Sequence, residues 1–84
     1  MTGMARYYFD VRENYTFIED DVGHELPTIA AAKMEASKAL TEIARDILPG
    51  HNFANLAIEV RDALGPILHA TLNFAVHIER DEEQ

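Results

Sequence analysis

The side chains of this 84-residue chain that could do chemistry are four histidines, one serine and a surplus of carboxylates, 15 Asp and Glu against 7 Lys and Arg, with no cysteine. Histidine beside carboxylate is the raw material of a metal site or of general acid–base work. His69 and His77 share one run of alternating sequence. That spacing is about 26 Å along a strand, so the two cannot hold one ion within a single copy. His24 adjoins Glu25 and lies near Asp20 and Asp21, a loose oxygen-rich cluster. Glu19-Asp20-Asp21-Val22-Gly23 lacks the Asp-x-Asp-x-Asp-Gly spacing of a calcium loop. It reads as an acidic turn, and no residue is assigned as a metal ligand.

Nucleophilic chemistry finds less support. Ser37 lies mid-helix between Ala36 and Lys38, without the strained glycine-flanked turn that presents a catalytic serine. The absence of cysteine removes thiolate chemistry and any disulfide framework. The glycines are isolated, so no loop can cradle a phosphate. Paired carboxylates occur only at positions read as exposed, where nothing raises a pKa for acid catalysis. A thin fold also leaves little volume for a pocket. The expectation is a chain that is not an enzyme, with no catalytic residue and no cofactor.

The net charge of −8 is concentrated at the two ends. Residues 1–27 and 51–84 each carry six acids and two bases, while residues 28–50 are balanced. Phosphate contacts from Lys and Arg supply most nucleic-acid affinity, and seven scattered bases cannot supply it. Direct binding to nucleic acid or to an anionic membrane is therefore not expected. No apolar run approaches the roughly 20 residues of a membrane span, and no segment resembles a signal peptide. The expected location is cytoplasmic.

The elements follow from periodicity. Arg6–Arg12 alternates, with Tyr7, Phe9 and Val11 on one face and Tyr8, Asp10 and Arg12 on the other. Glu13-Asn14 reads as a turn and Tyr15–Glu19 as a returning strand. An even-numbered loop would set Tyr15 and Phe17 beside Tyr8; an odd one would send them to the core. Asp20–Gly23 is a second turn, and His24–Leu26 a short extended piece. Thr28 is a suitable N-cap for a helix over Ile29–Leu48, and Pro49-Gly50 stops it. Ile29, Ala32, Ala36, Leu40, Ile43 and Ile47 form its apolar stripe. His51–Asn55 reads as a loop, Leu56–Asp62 as a strand, Asp62–Pro66 as a turn and Ile67–Ile78 as the most regular strand.

The implied fold is a two-layer α+β domain of ββαββ order, one helix packed on one face of a mainly antiparallel sheet. It would occupy residues 6–78, between a flexible N-terminus over 1–5 and an acidic disordered tail over 79–84. The long last strand is placed centrally, with the first strand beside it. One helix covers one sheet face, leaving the other to water or to a partner. Tyr8, Arg12, Arg61, His69, Thr71 and Asn73 are the candidate interaction residues on that second face. A thin core would gain from dimerisation, so a homodimer or protein partner is expected.

Arg6-Tyr7-Tyr8-Phe9-Asp10, Asp21-Val22-Gly23-His24-Glu25-Leu26-Pro27 before an alanine-rich helix, and Ile58-Glu59-Val60-Arg61-Asp62 before Gly65-Pro66 carry a resemblance. Together with the strand around Leu72 they resemble a domain-of-unknown-function family of short bacterial proteins, commonest in rhizobia-like alphaproteobacteria. The sequence departs from that pattern at Glu13-Asn14-Tyr15, where a more glycine-rich turn is usual. The resemblance implies a small stand-alone domain and transfers no catalytic residue. At fold level alone the element order is similar to HicB-type antitoxins. Three functions follow for testing: an interaction or dimerisation module using the open sheet face, an antitoxin-like or acidic charge-mimic regulator of a basic partner, and a small metal- or ligand-binding stress protein.

Overall fold

Two tight turns and one capped helix set the frame of the computed structural model, which describes residues 3–80. The first turn is Asn14-Tyr15, joining β1 (Ala5–Glu13) to β2 (Thr16–Ile18). Asn14 takes the positive φ of 55° that the turn requires, as asparagine can because its short side chain bonds locally. Its N–H donates to the Asn55 carbonyl at 2.7 Å and its Oδ1 accepts the Asn55 N–H at 2.9 Å. Glu13 pairs with Thr16, which is the even-numbered alternative, so Phe17 faces Arg12 on the Tyr8 side. Tyr15 projects from the turn into solvent.

Thr28 caps α1 (Ile29–Ile47) as its spacing implies, its Oγ1 accepting the Ala31 N–H at 3.0 Å. β3 (His24–Leu26) precedes the helix, and β4 (Phe53–Asp62) and β5 (Gly65–Ala75) follow it. β4 starts three residues earlier than alternation suggested, inside the expected loop, and β5 runs from Gly65 rather than Ile67 and ends before Val76. The turn between them is only Ala63-Leu64, tightened by Asp62 Oδ1 accepting the Leu64 N–H at 2.8 Å. Ala5 opens β1 and pairs with Leu26 instead of belonging to a loose end. The remaining terminal expectations fall partly on residues 1–2 and 81–84, outside the described residues.

The sheet is antiparallel in the order β2-β1-β4-β5, with β3 pairing the N-terminal half of β1. The expected strand order is thus corrected: β4 is central beside β1, and the long β5 is an edge. Two physical causes decide it. A two-residue turn obliges β5 to neighbour β4. β4 alone also carries Glu59 and Arg61 to match Arg12 and Asp10 of β1, whereas β5 carries no Asp, Glu, Lys or Arg. At the start of β5 a bulge leaves Ile67 unpaired between Pro66, opposite Arg61, and Leu68, opposite Val60.

The core lies between α1 and one sheet face. Ala32, Ala36 and Leu40 pack against Tyr7 and against Ala54, Leu56, Ile58 and Val60 of β4. The two alanines, with no exposed surface, let the helix approach the sheet closely. Phe9, Val11, Leu68, Ala70, Leu72 and Phe74 complete the layer from the flanking strands. Ile29, the first residue of the stripe, stays exposed. The fold is α+β, and among the described residues no helix covers its second face.

Candidate functional site

Strand alternation and register arrange that second face in rows. Pro66, Arg61 and Tyr8 form one row, and His69, Glu59 and Asp10 the next. Thr71, Ala57, Arg12 and Phe17 follow, then Asn73 with Asn55, and finally Ala75 with Phe53. All six residues expected there are present, but in two groups. Tyr8, Arg61 and His69 gather at the bulged end; Arg12, Thr71 and Asn73 lie toward the first turn.

Asp10 stands directly opposite Glu59, a like-charge pair that is unfavourable across a sheet. Diagonal arginines resolve it. Arg61 donates Nε to Asp10 Oδ2 at 2.8 Å and Nη2 to Asp10 Oδ1 at 3.3 Å, while Arg12 donates Nε to Glu59 Oε2 at 2.9 Å. Each guanidinium also lies over a ring, Arg61 over Tyr8 and Arg12 over Phe17, both 4.6 Å from the centroid. The hydrogen bond to Asp10 raises the Arg61 pKa against the opposing effect of burial, and that to Glu59 does the same for Arg12. Both cations are therefore fixed in charge and orientation. Asp10, which alternation assigned to the solvent-facing side, is only 5% exposed.

The Glu19–Gly23 loop covers that end of the face. Asp20 donates its N–H to Asp10 Oδ1 at 2.9 Å, and its carbonyl accepts Arg61 Nη2 at 2.9 Å. The Asp20 carboxylate accepts N–H groups from Phe9 at 3.0 Å, Val22 at 2.9 Å and Gly23 at 3.1 Å. Burial pushes this carboxyl upward, but those three donors and the nearby His24 outweigh it and hold it below the ordinary carboxylate value. Gly23 is buried at φ 79°, where an added Cβ would sit 3.0 Å from the Tyr7 carbonyl oxygen. The acidic turn is thus built around its own backbone. His24 is occupied too, its ring edge-on to Phe9 at 5.7 Å. Among the described residues no three His, Asp or Glu side chains converge as a metal set.

A family model described as "Domain of unknown function (DUF6894)" matches residues 6–75. The chain belongs to the DUF6894 family. The match runs from the second residue of β1 to the last of β5, so the whole sheet, the helix and the open face are features of a DUF6894 domain. No curated protein and no solved structure gives a significant match.

Two shallow recesses mark the DUF6894 face. One of about 340 Å³ is lined by Asp10, Glu59, Arg61, Pro66, Ile67 and His69, among others. Another of about 140 Å³ lies among Arg12, Asn14, Asn55, Ala57, Thr71 and Asn73. Apolar surface flanks them: Phe17 is 45% and Phe53 58% exposed. Alternation placed Asp10 on this face, and Phe17 for an even-numbered loop, but neither among the candidate interaction residues; Asp20 and Phe53 were not placed on the face at all. The paired patterns Asp10-x-Arg12 and Glu59-x-Arg61 were the signal for the ion pairs.

Proposed function

We propose that this DUF6894 domain is a non-catalytic, cytoplasmic protein-interaction module whose helix-free sheet face docks a protein partner. The observation that supports it is the composition of that face. Phe17, Tyr8 and Phe53 give rigid apolar surface, and Arg12 and Arg61 are pre-oriented over rings, the residue types that concentrate interface energy. Pre-orientation matters because side chains already held in place lose little entropy on binding. No described helix is long and apolar enough to cross a membrane.

Arg12 is the residue to alter, because its contacts are exposed and Arg61 also holds the Asp20 loop. The tagged full chain is used to capture partners from its own cell extract, beside Arg12→Glu and Phe53→Glu variants. The reading expects a partner retained by the parent chain and lost from both variants, with circular dichroism unchanged in each. Equal capture by all three chains, or by none, overturns it.

A further inference from the structure

The two edges of the sheet are finished differently. Outward groups of β1 are met by β2 and β3, and in the gap between them Phe9 donates its N–H to the Asp20 carboxylate at 3.0 Å. Among the described residues β5 pairs with β4 alone. Val76 donates to the Asn52 carbonyl at 2.6 Å and Asn14 to the Asn55 carbonyl at 2.7 Å, which fixes the alternation of backbone groups. Leu68, Ala70, Leu72 and Phe74 direct their N–H and C=O toward β4; His69, Thr71, Asn73 and Ala75 direct theirs outward. From Leu68 to Ala75 there is no Lys, Arg, Asp, Glu, Pro or Gly. Those are the residues that ordinarily blunt an open edge. Pro66 and the Ile67 bulge interrupt this one only at its start.

We propose that the open edge is occupied by β5 of a second copy of this chain, antiparallel about a twofold axis through Leu72. A strand that meets its own copy about a residue keeps like faces together, so helix side meets helix side. Centring on Thr71 would pair His69 with Asn73 but set Ala75 against the bulged Ile67. Centring on Leu72 pairs Thr71 with Asn73 and His69 with Ala75, so all four outward residues exchange N–H···O bonds. On the helix side, Ala70 then meets Phe74, small against large. Leu68 meets Val76, which is 44% exposed in the single copy. The seam brings no Asp or Glu together although each chain carries −8. An extended strand of another protein would satisfy the backbone, but only a second copy supplies these side-chain pairs. The side chains of His69, Thr71 and Asn73 also lie on the open face, but the seam is made by the backbone of β5 and needs neither Arg12 nor Phe53.

Sedimentation equilibrium of the full chain tests this. The parent is expected at twice the chain mass. Thr71→Pro removes an outward N–H without touching the β4 ladder and should raise the dimer dissociation constant about tenfold or more, with circular dichroism retained. T71K and N73E guard against a misfolded proline variant. Each should weaken the dimer, and the double variant should restore it, because the introduced lysine of one copy faces the introduced glutamate of the other. Arg12→Glu should leave the dimer intact. A parent that is monomeric at about 100 μM, a T71P chain that stays dimeric, a double variant no tighter than the singles, or a dimer lost in R12E each overturns the proposal.

Discussion

Arg61 and Asp10 are unequal partners. The Asp10 side chain is 7% exposed and that of Arg61 32%. Truncating the arginine strands a buried carboxylate, whereas truncating the aspartate frees a guanidinium that can turn to water. Arg61→Ala is therefore expected to destabilise the fold more than Asp10→Ala. Urea denaturation of the two variants reads the difference. Asp20 sets a pH dependence. Its folded pKa lies below the unfolded value, so its contribution is complete above about pH 4 and is lost as pH falls through the folded value. Asp20→Asn should lower the melting temperature at pH 7 and flatten its decline toward pH 3. That Asp10 and Arg12 share a face was legible, because alternation alone decides it. That Asp10 is buried there was not, since burial comes from a loop whose path depends on Asp20 and Gly23.

At the scale of elements, α1 was the most legible feature. Thr28 before a periodic stripe and Pro49-Gly50 after it are local signals that need no tertiary context. Thr28→Ala is expected to cost about 1 kcal/mol, measured as a shift in thermal unfolding. Strand order was not legible from periodicity. β5 has the longest alternating run yet is an edge, while the shorter apparent pattern of β4 is central and contains Ile58 and Val60, the largest fully buried side chains. The apolar pattern reports which face is covered, not how many neighbours a strand has. Turn length and cross-strand charge matching decide the neighbours, and both were present in Ala63-Leu64 and in Glu59-x-Arg61. The third extended piece became a true strand because Tyr7 and Ala5 supplied partners for His24 and Leu26.

For the whole molecule, one helix against one sheet face gives, among the described residues, a core of eight buried apolar residues. A domain this thin has a stability of only a few kcal/mol. Ile58→Ala should remove about 3 kcal/mol of it and leave the chain largely unfolded near 37 °C, as followed by circular dichroism. The finish of the β1 border has a consequence for assembly as well. With short β2 and β3 and the Asp20 carboxylate meeting its outward groups, growth by strand addition at β5 would stop at two copies. Asp20→Ala would free the Phe9 N–H alone, so light scattering from that variant should stay as low as from the parent.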